Sequence, residues 1–330
     1  MKNTTIGIFI IICLLLLNPN SFSQDEKENT KKYSLKANLT KNLEFTKNAK
    51  IVIKNSGKYQ FKGRNEASST SISSNQELRY KILEVKDNVI SELKIEFLEQ
   101  TRKSDKSNDY TDKKYELLKK LVNEWVIIRY SEAGFEILEK SDKIAEILKS
   151  YDQKDFSQNS DATILHNYLN YELIVQPIVP TVDPKKEVSV GDTWEIDVTD
   201  FLDSPYMHFY KKASKTESND ETKDNETKND SDILKFKLEK VETKDETEIA
   251  TISFTQTVES SDKYDMPDGS VEKYESKSVF NGTILFDLKK KLIISMTTEV
   301  VSTSVSYKDD IAFGNASFSS KSETTFDYVE

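Results

Sequence analysis

Leu78-Arg79-Tyr80-Lys81-Ile82 and Leu93-Lys94-Ile95-Glu96-Phe97 decide the fold, because each stretch alternates apolar and charged residues with a period of two. In a β-strand this alternation places the apolar side chains on one face and the charges on the other. Asp87-Asn88, between the two stretches, supplies residues that tolerate a left-handed backbone. The sequence therefore predicts an antiparallel hairpin with one buried and one solvated face.

The hairpin pattern returns in the second half of the chain, at Leu234-Lys235-Phe236-Lys237-Leu238 and Ala250-Thr251-Ile252-Ser253-Phe254. At nearly the same spacing, the apolar residues near 125–137 correspond to those at 283–294. A duplication explains both correspondences, and so does the general likeness of alternating strands. If the chain is duplicated, we expect the two β-modules to pair or to form one long sheet.

Two short helices are predicted within residues 141–170. The first begins at Ser141 and the second at Asp161, each as an N-cap. Apolar residues follow at helical spacing, namely Ile144, Ile147, Leu148 and Tyr151 in the first helix and Ile164, Leu165, Tyr168 and Leu169 in the second. Both helices need an apolar surface to cover. The nearest one is the apolar face of the sheet, so we expect them to form a lid across its concave side.

Composition divides the chain into a signal peptide at 1–23, a first β-module with the helical segment at 24–180, and a second β-module at 181–330. Proline residues at 177, 180 and 184 mark the connection between the modules. Residues 211–232 consist almost entirely of charged and small polar residues, so we predict a disordered loop there. The expected fold is mainly β (α+β), a curved antiparallel sheet or half-barrel with lid helices. A β-sandwich is the alternative.

The N-terminal segment has the pattern of a secretory signal peptide. Lys2 precedes an apolar run at residues 6–17, and small residues end the segment at Ser23, so we expect cleavage before Gln24. Cys13 lies inside the apolar run, so the mature chain is expected to have no thiol. Downstream, the sequence contains no apolar run of the ~20 residues that a membrane span needs. The mature protein is therefore predicted to be soluble, in the periplasm or outside the cell.

Charge and motif content argue against several functions. The net charge of −10 disfavours binding to nucleic acid and to anionic lipid surfaces. His166 and His208 are the only histidines, and the sequence motifs of metalloproteases, serine hydrolases and nucleotide-binding loops are missing. We therefore expect a non-catalytic protein with no cofactor and no metal site. A glycosidase that uses two carboxylates ranks below the binding and interaction functions.

Val188-Ser189-Val190-Gly191-Asp192-Thr193-Trp194-Glu195 follows the prolines, and Gly282-Thr283-Ile284-Leu285-Phe286-Asp287-Leu288 runs into Leu292-Ile293-Ile294-Ser295. These stretches resemble a family of exported bacterial proteins of unknown function, and the resemblance extends over most of the mature chain. It implies an architecture similar to the lipoprotein-localisation-factor (LolA-like) type of half-barrel, in which an antiparallel sheet curls around helices and can shelter lipid chains. The matching motifs are turns and strands, so no catalytic residue carries over.

Two functions follow from this interpretation. The first is an envelope protein that binds a lipid, an acyl chain or a lipoprotein tail on the concave face of its sheet. The second is a structural or interaction module that engages other envelope proteins through exposed strand edges. Six aromatic residues on predicted strands either line such a ligand site or fill the core. They are Trp125, Trp194, Tyr80, Phe97, Phe254 and Phe286.

Overall fold

The computed structural model describes residues 31–61, 64–86, 89–105, 109–131, 134–149, 160–169, 183–197, 233–265, 270–308 and 311–329. The strands are β1 Glu44–Phe61, β2 Arg64–Lys86, β3 Val89–Ser104, β4 Trp125–Ser131, β5 Gly134–Lys140, β6 Thr193–Asp197, β7 Ile233–Lys244, β8 Thr247–Asp265, β9 Val271–Asp287, β10 Leu292–Lys308 and β11 Ile311–Tyr328. The helices are α1 Asp109–Lys120, α2 Asp142–Leu148 and α3 Asp161–Asn167. The chain is mainly β, as predicted.

All these strands join one curved, unclosed 11-stranded sheet in the order β5-β4-β3-β2-β1-β11-β10-β9-β8-β7-β6. Every neighbouring pair is antiparallel. The β-sandwich alternative is therefore wrong, because hydrogen bonds link the strands into a single layer. Strands β1 to β5 follow one another in the sequence and are also consecutive in the sheet, and the same holds for β6 to β10. Their origin by duplication and the module boundary near residue 180 stay predictions.

The core lies on one face of the sheet, called here the inner face, and its central residue is Phe45. The ring of Phe45 is fully buried. It stacks on Tyr80 of β2 at 5.2 Å between centroids and lies 5.4 Å from Tyr328 of β11. Burial raises the pKa of the Tyr328 phenol well above its ordinary value. The other buried strand residues of this core are Leu78, Ile82, Ile90, Leu93, Ile95, Phe97, Val126, Ile128, Trp194, Phe236, Leu238, Ala250, Ile252, Ile284, Phe286, Ile293 and Phe326.

The two predicted helices are present and pack on this apolar face, since Ile144 of α2 and Ile164 and Leu165 of α3 belong to the same core. The N-cap of α3 is Ser160 and not Asp161, because the Ser160 hydroxyl accepts a hydrogen bond from the Thr163 backbone N–H at 3.1 Å. Ser141 occupies the N-cap position of α2 with an extended backbone, but its side chain makes no capping hydrogen bond.

Helix α1 was not predicted. Its sequence is rich in lysine, which hides its short apolar stripe. Leu117 and Leu118 at its C-terminal end, together with Leu121 just beyond it, are buried in the core. The helix packs against β3 and against α3, so it connects the lid to the sheet.

The dipeptide Asn281-Gly282, of a type common in hairpin turns, lies inside β9. Gly282 pairs with Phe254 of β8 on one side and with Thr298 of β10 on the other. A turn does occur between β7 and β8, where Asp245 and Glu246 adopt positive φ values of 47° and 64°.

Several sequence predictions fall on residues outside the described ranges. They concern the signal peptide at 1–23, the turn at 87–88, the prolines at 177 and 180, and the polar loop at 211–232. Within the described ranges, none of the helices has the length and apolarity that a membrane crossing requires.

Candidate functional site

The long central strands continue well beyond the core. We define the upper inner face as the inward-facing residues of β2, β3, β8, β9, β10 and β11 that stand level with Ile51, Ile53, Asn55 and Gly57 of β1. Its large apolar members are all half-buried. They are Ile51, Ile53, Ile72, Phe254, Val258, Phe280, Val300 and Phe318.

These apolar side chains are neighbours across the strands. Ile53 is paired with Ile72 of β2, and Phe280 of β9 is paired with Val300 of β10. Directly opposed residues in antiparallel strands have Cβ atoms about 4.5–5.5 Å apart, so each pair forms one continuous apolar surface. Serine and threonine residues fill most of the positions between them. For example, the Ser278 hydroxyl donates to that of Ser302 at 2.8 Å.

The two faces of the sheet differ sharply in charge at this level. The outer face carries ion pairs such as Lys277–Glu259 at 2.7 Å and Lys321–Glu299 at 3.7 Å. On the upper inner face, the described side chains are uncharged except for Arg102 of β3. The inner surface is therefore suited to contact with an apolar molecule, while the outer surface is suited to water.

Arg102 and Gln100 place unpartnered hydrogen-bond donors at the edge of the upper inner face. The Arg102 side chain is only 7% exposed, and its Nη1 donates to the carboxylate of Asp112 in α1 at 2.5 Å. Its Nε and Nη2 are buried and have no hydrogen-bond partner. The same holds for Nε2 of Gln100, whose residue is 7% exposed.

Helix α1 closes this corner of the sheet. The Tyr115 hydroxyl of α1 donates to the backbone carbonyl of Gln100 at 2.9 Å. Burial raises the pKa of the Tyr115 phenol, which favours the protonated form that donates this hydrogen bond. The corner therefore presents N–H groups and bound hydroxyls, with the carboxylate of Asp112 already engaged by Nη1 of Arg102.

The six aromatic residues singled out in the sequence do not form one site. Tyr80, Phe97 and Phe286 are almost completely buried in the core. Trp194 is 7% exposed and stacks on Phe236 at 5.5 Å. Its indole Nε1 has no hydrogen-bond partner.

Phe254 and Trp125 differ from these core residues. Phe254 is half-buried and belongs to the upper inner face, with its ring 6.0 Å from that of Phe236. Trp125 lies on the outer face, where it pairs with Glu96 and has the Lys94 ammonium 5.0 Å from its ring centroid. Whether any of the six aromatic residues contacts a ligand stays a prediction.

Sequence reasoning missed Arg102 and Gln100, since the stretch around them shows no apolar alternation. It also missed most of the upper inner face, because isoleucine and phenylalanine occur there singly among serine and threonine.

A cavity of about 350 Å³ lies on the outer face, beside the level at which the core ends. Its lining includes Asn48 and Lys50 of β1, Glu77 of β2, Glu99 of β3 and Glu323 of β11. These amides and charged groups suit water or a polar solute and would leave an acyl chain without apolar contacts. Among the described titratable side chains, no group has the arrangement of a metal site.

No family model matches the chain, and no curated protein matches it. The chain is similar to lipovitellin in a structure entitled "Lipid-protein interactions in lipovitellin", with 10% identity and a TM-score of 0.37. The match covers 88% of this chain and 25% of lipovitellin, so the chain spans about a quarter of that protein.

Two bacterial structures are similar over more of their own length. The COG4313 outer membrane channel from Pseudomonas putida F1 has 6% identity and a TM-score of 0.19, with coverage of 89% of this chain and 97% of the channel. A DUF1329 family protein from Desulfovibrio piger has 9% identity and a TM-score of 0.11, with coverage of 86% and 84%. Scores at this level carry no argument about function.

Proposed function

We propose that this chain is an exported, non-catalytic envelope protein that binds a lipid, an acyl chain or another hydrophobic ligand on the inner face of its sheet. The observation that carries the proposal is the upper inner face, which is half-buried and nearly free of charge and directly continues the core. The lipoprotein-localisation-factor type of half-barrel, with its sheet curled around helices, is the architecture that the proposal assumes.

Burial of apolar surface supplies the affinity in this proposal. Each methylene that leaves water gains about 0.8 kcal/mol. Ile53, Ile72, Phe280 and Val300 keep part of their surface exposed in the absence of a ligand, so they have apolar contact area to offer. An acyl chain laid across these residues would meet neither a charge nor a buried carboxylate.

The ligand proposal predicts that the full chain, isolated from a bacterial periplasm, carries a reproducible amphiphile in native mass spectrometry. Replacing Ile53 by lysine removes the bound mass, because the ligand would have to desolvate an ammonium group. Val52→Lys is the matched control, since Val52 is the adjacent half-buried residue on the outer face and its variant retains the ligand. A ligand-free wild-type protein, or an Ile53→Lys variant that still carries the amphiphile, would contradict the proposal.

Export is a separate prediction. The intact mass of the protein recovered from the periplasm should correspond to a chain that begins at Gln24, because small residues at Ser21 and Ser23 suit a signal peptidase. A mass that retains Met1 would argue against export. A mass with acyl groups on Cys13 would identify a lipoprotein instead.

An interaction module is the second candidate, and one observation favours it. β5 and β6 are the outermost strands of the sheet, so in the described ranges each has a single strand partner and one strand edge left over. Such an edge is able to accept a strand from another protein. A wild-type protein that is ligand-free but captures a specific envelope protein would favour this function over the first.

A further inference from the structure

The unpartnered donors of Arg102 and Gln100 need an explanation. Buried N–H groups are almost always hydrogen-bonded, because leaving one without a partner costs its full desolvation free energy. Here Nε and Nη2 of Arg102 and Nε2 of Gln100 are all buried without a partner on two side chains of one strand. Since the residues are two apart in β3, both side chains point to the same face and lie about 7 Å from each other along the strand.

The position of these donors connects them to the proposed ligand surface. Arg102 is paired with Ser74 of β2, which is paired in turn with Ile51 of β1. Adjacent strands are about 4.8 Å apart, so Arg102 lies about 10 Å from Ile51 along one cross-strand row. The next row contains Ile72 and Ile53. The donors therefore stand at the rim of the apolar surface.

We propose that Arg102 and Gln100 bind the carboxylate head group of a long-chain fatty acid, whose hydrocarbon chain lies over Ile51, Ile53 and Ile72. This inference rests on the proposed function, because it specifies the ligand of the same surface.

Charge complementarity favours a carboxylate. Asp112 engages Nη1 of Arg102, while Nε and Nη2 form the remaining edge of the guanidinium. Two parallel N–H groups on such an edge match the two oxygens of a carboxylate, and Gln100 adds a third donor. Because these atoms are enclosed beneath α1, the bound head group would be shielded from water, which strengthens the ion pair.

The test uses the full chain, stripped of bound lipid, and three probes of equal chain length titrated by calorimetry. They are dodecanoate, dodecanol and dodecyl phosphate. We expect dodecanoate to bind about tenfold more tightly than dodecanol, a ratio typical of a charge-assisted hydrogen-bond pair. Arg102→Gln should abolish this preference by weakening dodecanoate binding. Arg79→Gln is the matched control, because Arg79 lies on the outer face with Glu44 and Glu96 as ion-pair partners.

Two further variants keep the test decisive if Arg102→Gln fails to fold. Arg102→Lys retains the charge but loses the two-donor edge, so it should keep only part of the preference. Asp112→Asn removes the competing carboxylate and should tighten dodecanoate binding.

The outcomes separate the head-group inference from the proposed function. Equal binding of dodecanoate and dodecanol, unaffected by Arg102→Gln, would overturn the inference and leave the hydrophobic site standing. Tighter binding of dodecyl phosphate than of dodecanoate would overturn the assignment to a carboxylate. Failure of all three probes to bind would overturn both proposals.

Discussion

Replacing Phe45 by alanine is expected to lower the free energy of unfolding by about 3–5 kcal/mol, the usual cost of deleting a fully buried aromatic ring. Phe45 has no exposed surface and touches rings on both neighbouring strands, Tyr80 on β2 and Phe326 and Tyr328 on β11. The resulting cavity would lie at the seam between the two halves of the sheet, where backbone relaxation on either side is opposed by long ladders of hydrogen bonds.

Urea denaturation followed by circular dichroism measures this loss. Phe318→Ala is the matched control, because Phe318 lies on the same face but on the upper part of β11 and is only half-buried. We expect it to cost less than about 2 kcal/mol, since less apolar surface returns to water. An equal loss from the two variants would mean that the core extends to the upper inner face in solution.

Replacing Gly282 by alanine is the second large effect, with an expected loss of about 1–3 kcal/mol from overpacking. A methyl group on Gly282 would overlap ring carbons of Phe254 and approach the backbone oxygen of Thr297 to 2.5 Å. The ring is able to turn away, but the carbonyl belongs to the adjacent strand and is fixed by the ladder. The variant should therefore unfold at a lower temperature in a calorimetric scan.

A double-mutant cycle with Phe254→Ala tests this cause. Removal of the ring should restore part of the stability lost in Gly282→Ala, leaving the clash with Thr297. Gly191→Ala is a comparison in which any loss of stability would come from backbone strain and not from a clash, since that glycine has open space around it but a φ of 95°. If the losses at Gly282 and Phe254 simply add, the two residues are not in contact.

Much of the lower sheet could be predicted from the sequence. The hairpin of β2 and β3 was expected from alternation alone, and its register pairs Tyr80 with Ile95 and Ile82 with Leu93. The hairpin of β7 and β8 was found in the same way, with Phe236 paired to Phe254. Alternation is informative here because one face is buried and the other is wet, so polar residues are excluded from every second position.

The full length of the strands could not be predicted. β2 extends over Arg64–Lys86, yet its first part is a run of serine with single apolar residues such as Ile72. The inward side of this part is at most half-buried and the outward side is largely exposed, so both sides tolerate hydroxyl groups and the periodic signal disappears. Helix α1 could not be predicted for a related reason. Its buried leucines lie only in its last turn and in the turn beyond it, so the helical pattern is too short to recognise.

The candidate site shows the limit most clearly. The sequence indicates ligand-site residues only as large aromatic groups on strands. Of these, Tyr80 and Phe97 lie in the core, and Trp125 lies on the outer face of the sheet. Arg102 could be recognised as a candidate site residue only from the folded structure, because burial of its N–H groups without a hydrogen-bond partner is a property of the folded environment.

The pairing of β1 with β11 has a consequence for the order of events during synthesis. The amide of Asn48 donates to the carboxylate of Asp327 across this seam, over a sequence separation of 279 residues. At translation rates of about 5–20 residues per second, roughly 15–55 s pass between the emergence of the two strands. The middle of the sheet is therefore joined only after β11 has been synthesised, by contacts between residues far apart in the sequence, whose loop-closure entropy slows folding. Until that moment β1 and β10 both present open edges, which makes protection of the nascent chain a requirement of this topology.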